Sequence, residues 1–158
     1  MLHETDHWVM PLPRDQVLPT LLSDQVQLAL AHLREDVLEA RLERLPAAEG
    51  EQRFVIHLRS YGRTPTGKID RGQTVRSSTH NHWRGDTLAW RWEGHRRVLV
   101  SGHLRVEREG AQTRFTSRRE VEVPVPVVGR AIERLVLREL SRDEPKWREM
   151  LADQLGLR

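Results

Sequence analysis

The sequence contains no cysteine, and this absence excludes several kinds of site. Disulfide scaffolds, thiolate zinc sites, iron–sulfur clusters and thiol catalysis all require cysteine. The sequence also lacks any run of about 18 apolar residues, the length that a transmembrane helix needs. The polar and acidic residues 1–6 do not resemble a signal peptide. We therefore expect a cytoplasmic protein with no integral membrane association.

Lysine is almost absent, because all of the 26 basic residues except Lys68 and Lys146 are arginine. The arginines alternate with aspartate and glutamate along the whole chain, and the formal net charge is only +3. Nucleic-acid-binding proteins usually concentrate their basic residues on one face or in one run. The dispersed arginines predict a surface of mixed charge and no nucleic-acid partner.

The period of the apolar residues changes along the chain and predicts the order of its elements. The 158 residues suit a single domain over residues 1–158. Alternation over residues 3–12 predicts a first strand, and a helical period over 14–34 predicts two short helices, the second capped by Ser23. A period of two then returns, and it predicts strands near residues 36–43, 53–59, 73–83, 87–93, 97–107 and 113–123. The short turns between these segments predict an antiparallel meander.

Two further segments complete the predicted order. Glycine and proline residues predict a long loop over residues 60–72. After Pro124 and Pro126, an apolar stripe predicts a helix over residues 127–140 that packs Ile132, Leu135 and Val136 onto the sheet. Pro145 is expected to interrupt this helix near residues 141–143. The order predicts an α+β fold in which only the long helix is large enough to cover the sheet.

The closing passage of the sequence points to a known family. Residues 123–133 read Val-Pro-Val-Pro-Val-Val-Gly-Arg-Ala-Ile-Glu. With residues 102–106 and 113–115, this passage resembles a bacterial START-like family of unknown function, in which a similar passage leads from the last strand into the closing helix. The layout of the whole chain resembles the START-like, or helix-grip, superfamily (SRPBCC), which includes polyketide cyclases.

This resemblance implies a curved antiparallel sheet of about seven strands wrapped around a long C-terminal helix, with a cavity between them. Many members of the superfamily bind a hydrophobic ligand, and some catalyse cyclisation or dehydration. No catalytic residues are shared across the superfamily, so the resemblance assigns none here.

Strand parity predicts which side chains face that cavity, because alternate residues of a strand point to one face. The apolar parity also carries several polar residues inward. The predicted ligand-binding residues are Phe54, Ile56, Ser77, Thr79, Asn81, Trp83, Trp90, Trp92, Val100, Phe115, Ser117, Arg119, Ile132 and Leu135.

Arg119 and the tryptophans each allow two interpretations. An inward arginine is costly unless it is paired or hydrogen-bonded. Arg119 therefore either has a structural place, paired with an acidic residue or at the rim of the sheet, or it reaches a cavity water or an anionic ligand such as a fatty acid. Five tryptophans against one tyrosine and two phenylalanines are explained either by core packing or by an aromatic wall for a ligand. Trp90 and Trp92 share one face in either case.

Other motifs are weaker. Residues 62–68 match the start of a phosphate-binding loop, but Ile69 stands where serine or threonine would bind magnesium. His80 and His82 share a strand face at metal-ligand spacing, but parity directs them to solvent. No pair of carboxylates has a spacing that predicts a glycosidase dyad, and there is no nucleophile elbow. We therefore predict no catalytic residue, metal or cofactor.

The sequence favours the binding of a small hydrophobic or amphipathic ligand, lipid-like or polyketide-like, over catalysis, because most histidines and carboxylates fall on outward parities. Two alternatives stay open. One is an enzyme of the cyclase/dehydratase type, in which Arg119 and Asn81 polarise a carbonyl. The other is an interaction module with a filled core, such as a homodimer formed through a strand edge or the C-terminal helix.

Overall fold

A single antiparallel sheet of seven strands organises the chain. In the computed structural model, which describes residues 1–157, the strands are β1 (Leu2–Met10), β2 (Val37–Leu45), β3 (Gln52–Arg63), β4 (Ile69–Arg84), β5 (Thr87–His95), β6 (Val98–Glu109) and β7 (Gln112–Glu122). The helices are α1 (Arg14–Leu21), α2 (Asp24–Ala31) and α3 (Gly129–Gln154). The spatial order is β1-β7-β6-β5-β4-β3-β2. The sheet curves around α3, so the predicted α+β helix-grip fold is confirmed.

Two helix starts follow from local chemistry. The Ser23 hydroxyl accepts a hydrogen bond from the Val26 amide at 3.3 Å and donates one to the Thr20 carbonyl, which caps α2 as predicted. The first strand ends at Met10 rather than at Leu12, because Pro11 and Pro13 remove the amides that the sheet would need. Pro13 instead takes the cap position of α1.

The prediction of a long loop over residues 60–72 is wrong. Strand β3 continues to Arg63 and β4 begins at Ile69, so only residues 64–68 connect them. The pairing of β3 with β4 shifts its register between Tyr61 and Gly62, so the hairpin accommodates this glycine and continues beyond it. Gly67 supplies the positive φ of +87° that the turn requires.

The prediction that Pro145 interrupts the last helix is also wrong. Helix α3 runs for 26 residues with Pro145 inside it. A proline removes one hydrogen bond from a helix, and packing of the following turns keeps this helix continuous: Trp147 contacts the core and Leu151 is fully buried. The helix begins at Gly129 rather than at Val127, since the φ of Val127 is 70° and lies in the left-handed region.

The core consists of two clusters on the concave face of the sheet. The larger cluster includes Phe54, Phe115 and Leu151, and the smaller one places Leu137 of α3 against strands β6 and β7. Helices α1 and α2 add Val17, Leu21 and Val26 to the larger cluster, so the cover of the sheet is not α3 alone. No helix among residues 1–157 is long and apolar enough to cross a membrane.

Candidate ligand cavity between the sheet and helix α3

The register of the sheet aligns the predicted inward residues in rows. Residues paired across neighbouring strands share a face. One row runs Glu4, Arg119, Gly102, Trp90 and Asn81 across β1, β7, β6, β5 and β4. This row crosses the concave face beneath α3. The strand parity read from the sequence is therefore the parity of the structure at these positions.

A cavity of about 260 Å³ lies over this row, between the sheet, α2 and α3. Its wall is mainly apolar and includes three tryptophans and several leucines. Its polar and charged groups come from β4, β7, α2, α3 and the segment that follows α2. The lining includes Trp8, Leu21, Gln27, Leu30, Leu33, Arg34, Ile56, Leu58, Thr79, Asn81, Leu88, Trp90, Leu104, Ser117, Arg119, Leu140, Asp143, Glu144 and Trp147. A few polar groups in an apolar wall are typical of a small-molecule site.

The guanidinium of Arg119 is buried at one side of the cavity and contacts three carboxylates. Its Nη2 lies 2.7 Å from Asp6 Oδ2 and 3.2 Å from Glu4 Oε2, while Nη1 lies 2.9 Å from Glu144 Oε2. Burial by itself disfavours the charged form, but the hydrogen bond to Asp6 and the charge of Glu144 raise the pKa of Arg119 above its ordinary value. Arg119 is thus paired with acidic residues, as one of the two interpretations of the sequence expected, and it also lines the cavity.

Glu144 and Asp143 bring two carboxylates to the cavity from α3. Burial raises the pKa of Glu144, although the charges of Arg119 and Arg148 oppose this effect. Burial likewise raises the pKa of Asp143, against the charge of Lys146. Glu144 Oε1 is buried and has no hydrogen-bond partner among residues 1–157. The site therefore holds carboxyl groups that lose their protons at a higher pH than carboxyl groups ordinarily do.

The three carboxylates that contact Arg119 are not among the predicted site residues, although the sequence carries a signal for each of them. The expected break at Pro145 left residues 141–146 outside the predicted helix, and the apolar stripe was expected to resume at Trp147. In a continuous helix, Glu144 lies seven residues after Leu137 and seven before Leu151, on the same apolar stripe. On β1, Glu4 and Asp6 share the parity of Trp8 and Met10 and therefore face inward with them.

Aromatic rings form the apolar end of the site. Trp8 stacks on Phe115 with ring centroids 5.0 Å apart, and Trp147 meets both rings edge-on at 5.5 and 6.3 Å. Trp8 and Trp147 line the cavity, and Phe115 is fully buried behind them. Trp90 covers the backbone of Gly102 on the next strand. Three of the five tryptophans thus contribute to the cavity wall.

The structure brings six of the fourteen predicted ligand-binding residues to this cavity: Ile56, Thr79, Asn81, Trp90, Ser117 and Arg119. Phe54, Trp83 and Phe115 are buried in the larger core cluster, and Ser77 is buried outside the cavity lining. Trp92, Val100 and Ile132 belong to the smaller cluster. The side chain of Leu135 contacts Gly67 in the turn between β3 and β4, and Leu135 belongs to neither core cluster.

A second depression of about 590 Å³ lies at the hairpin between β5 and β6. Trp92, Val98 and Val100 form its apolar part, and residues such as Arg91, Arg96, Glu120 and Glu122 surround them. Arg91 is already paired with Glu93 and Arg118 with Glu120. The cavity beneath α3 is the better candidate site, because it combines buried polar groups with an aromatic wall.

The weaker motifs have structural roles. His80 and His82 lie on the convex face, where each is paired with a glutamate, Glu93 at 3.1 Å and Glu51 at 2.6 Å. No group of three or more histidine, aspartate or glutamate residues among residues 1–157 could hold a metal ion. The segment that matches a phosphate-binding loop ends β3 and enters β4, so no helix begins after it.

Comparison with known proteins gives a family and a fold. A family model described as "Protein of unknown function (DUF2505)" matches residues 64–149. No curated protein matches the sequence. Among solved structures, a protein from Thermus thermophilus is similar with a TM-score of 0.64 and 16% identity, covering 99% of this chain and 98% of that one.

Two further solved structures are similar over almost the whole chain. The ZhuI aromatase/cyclase from Streptomyces sp. R1128 has a TM-score of 0.64 and 15% identity, covering 97% of this chain and 93% of that one. A START superfamily protein from Mycobacterium smegmatis has a TM-score of 0.62 and 13% identity, with coverage of 97% and 98%. At these identities the likeness shows the START-like fold alone.

Proposed function

This chain belongs to the family described as "Protein of unknown function (DUF2505)", and we propose that it binds a small hydrophobic or amphipathic ligand in the cavity beneath α3. One observation carries the proposal: an apolar, tryptophan-lined cavity of about 260 Å³ that also contains Asn81, Ser117 and Glu144. Small-molecule pockets typically begin at roughly 300 Å³. The volume therefore favours a ligand of one or two rings over a long acyl chain.

The fold supports the same class of ligand. The START-like architecture is shared with an aromatase/cyclase and with a START superfamily protein. A polyketide-like aromatic molecule would place flat rings between Trp90 and the pair of Trp8 and Trp147. Such rings bury large apolar areas at offset or edge-on distances.

The arginines of the convex face support a small molecule rather than a nucleic acid as the partner. Arg59 pairs with Glu39, Arg105 with Asp86, and Arg118 with Glu120. A phosphate backbone would have to displace these carboxylates, which weakens non-specific binding. We expect no shift of a labelled DNA or RNA duplex at micromolar protein in a gel assay.

Native mass spectrometry of the protein purified from its own host tests the binding proposal. We expect a stoichiometric small molecule on the wild type. Ala31→Trp places a large ring at the cavity lining and should abolish this added mass. Ala131→Trp introduces the same ring at an exposed position of α3 and should leave the added mass intact.

A protein that is purified empty is then titrated with naphthalene, 2-naphthol and 2-naphthoate by calorimetry. Failure of all three to bind at sub-millimolar concentrations would overturn the binding proposal. Equal binding to wild type and Ala31→Trp would also overturn it, because the probe would then occupy another part of the protein.

An enzyme of the cyclase/dehydratase type is a second candidate, and the carboxyl groups of Asp143 and Glu144 favour it. A carboxyl group whose pKa is raised by burial is suited to general acid–base catalysis. In a dehydration, Glu144 would take the proton next to a carbonyl polarised by the Asn81 amide, and Asp143 would protonate the leaving hydroxyl to give water. The formation of an enone from 4-hydroxy-4-phenylbutan-2-one, followed by absorbance, tests this; a rate equal to that of Glu144→Gln would exclude it.

A further inference from the structure

Glu144 has one paired and one unpaired oxygen among the described residues. Its Oε2 lies 2.9 Å from Arg119 Nη1, and its Oε1 is buried without a hydrogen-bond partner among residues 1–157. The residue lines the cavity. A buried acceptor without a donor costs free energy that a ligand carrying a donor would recover. The unpaired oxygen therefore favours a ligand with a hydrogen-bond donor at its polar end, whereas the apolar wall makes no such demand.

The charges around Arg119 limit what that polar end can be. Three carboxylates, from Glu4, Asp6 and Glu144, contact its guanidinium. The second guanidinium nearby, that of Arg148, lies 3.8 Å from Asp6. A ligand carboxylate would thus meet more negative than positive groups in a region of low dielectric. An ammonium group at Glu144 Oε1 would gain from these negative groups, but it would stand beside the guanidinium of Arg119 and could accept no hydrogen bond from Arg119 Nε, which is unpaired among the described residues.

A neutral hydroxyl group meets these conditions. It donates one hydrogen and also accepts, unlike an ammonium or a carboxylate. The donors available for its oxygen are the Ser117 hydroxyl, which lines the cavity, and Arg119 Nε, which is buried without a hydrogen bond among the described residues. A hydrogen bond from a hydroxyl to an ionised carboxylate is also stronger than one between neutral groups.

We propose that the natural ligand is a neutral molecule with a hydroxyl group on an apolar ring system, and that this hydroxyl donates a hydrogen bond to Glu144 Oε1. The inference rests on the proposed binding function and specifies its ligand class. The ring system would lie against Trp8, Trp90 and Trp147. A phenol and an alicyclic alcohol share this chemistry.

Calorimetric titration with four probes of similar size tests the proposal at neutral pH. The probes are naphthalene, 2-naphthol, 2-naphthoate and 2-(aminomethyl)naphthalene, which is an ammonium ion at this pH. We expect 2-naphthol to bind at least ten-fold more tightly than each of the other three. Tighter binding of the carboxylate or the ammonium probe would overturn the proposal.

Variants of Glu144 locate the hydrogen bond. Glu144→Leu removes the acceptor and should reduce the affinity for 2-naphthol to that for naphthalene. Glu144→Gln keeps an uncharged acceptor, so its preference for 2-naphthol over naphthalene should fall from ten-fold to about three-fold. Glu149→Gln, at an exposed position of the same helix, should bind all four probes as the wild type does. For each Glu144 variant, the affinity for 2-naphthol is compared with that variant's own affinity for naphthalene.

The outcomes separate this inference from the proposed function. If naphthalene and 2-naphthol bind equally, the cavity binds apolar molecules but the hydroxyl assignment is wrong. If Glu144→Leu keeps the full preference for 2-naphthol, the hydroxyl is recognised elsewhere and the assignment is again wrong. If no probe binds, the proposed binding function itself fails.

Discussion

Trp90 lies across the backbone of Gly102, its paired residue on the neighbouring strand. A Cβ atom at position 102 would stand 2.6 Å from the indole and 2.2 Å from the carbonyl oxygen of Arg118. The glycine sits in the row between Trp90 and Arg119. Because it has no side chain, the indole can extend over the strand and form one wall of the cavity.

The first prediction concerns this glycine. Gly102→Ala should destabilise the protein by about 1–3 kcal/mol, because a well-packed interior must shift to admit the added methyl group. It should also displace Trp90 and weaken the binding of 2-naphthol. Chemical denaturation followed by tryptophan fluorescence measures the first effect, and calorimetry measures the second.

Gly72→Ala is the matched control for this substitution. An added Cβ there would meet only the Asp70 side chain, at 3.3 Å, and the position is exposed. We expect a change in stability within about 0.5 kcal/mol, as for most surface substitutions. If Gly102→Ala were equally silent, Trp90 would not rest on the strand as described.

The second prediction concerns the removal of the central cation. Arg119→Leu leaves the carboxylate of Glu144, which is largely buried, without its partner and should destabilise the fold by about 3–5 kcal/mol at neutral pH. Asp6 and Glu4 are more than two-fifths exposed, so solvent screens their share. Thermal and chemical denaturation measure the loss.

The double variant Arg119→Leu with Glu144→Leu distinguishes a lost ion pair from lost packing. Its stability should lie well above that of Arg119→Leu, because no buried charge is left unpaired. If the two losses were simply additive, Arg119 and Glu144 would not interact, contrary to their 2.9 Å contact.

The third prediction concerns pH. Burial raises the pKa of Glu144 above its ordinary 4.5, so the folded state holds this proton more tightly than the unfolded state. The stability that this proton contributes is fully present below about pH 4.5 and is lost as the pH rises through the folded-state pKa. The variant Glu144→Gln has no carboxyl proton at this position, so its stability lacks this pH dependence. Relative to the wild type, the variant should therefore become more stable as the pH rises from about 4 towards 7.

Glu39→Gln gives the opposite trend. The hydrogen bond from Arg59 lowers the pKa of Glu39, so its contribution is lost as the pH falls. The stability of Glu39→Gln relative to the wild type should therefore decrease as the pH rises towards about 4.5, and it should change little above that pH. Denaturant midpoints at several pH values measure both trends, and slopes of the same sign in the two variants would contradict the assignment for Glu144.

The sequence was sufficient to predict the sheet, because alternation with a buried face fixes parity. Asn81, Trp90 and Arg119 lie on the predicted face and in one row with Gly102. The row itself could not be predicted, since register depends on the turns and on irregularities such as the one at Tyr61 and Gly62. For the same reason Trp92 and Val100 had the right parity yet lie outside the cavity beneath α3.

Glu144 escaped prediction because local and tertiary effects compete near Pro145. Proline is a strong local signal for a helix end, but the packing of Trp147 against the core and the burial of Leu151 stabilise α3 beyond Pro145. Glu144 therefore faces the sheet from a helix that the local signal had ended. Its pairing with Arg119 joins two different elements that are distant in the sequence, and neither residue alone indicates the other.

The measurement that tests the central claim most directly is the ¹H–¹⁵N spectrum of the indole groups during titration with 2-naphthol. Trp8, Trp90 and Trp147 line the cavity, whereas Trp83 and Trp92 do not. We predict that the signals of the first three shift in a saturable manner while those of Trp83 and Trp92 stay in place. Shifts confined to Trp92 would place the ligand in the depression beside β5 and β6, and no saturable shift of any indole would contradict ligand binding beneath α3.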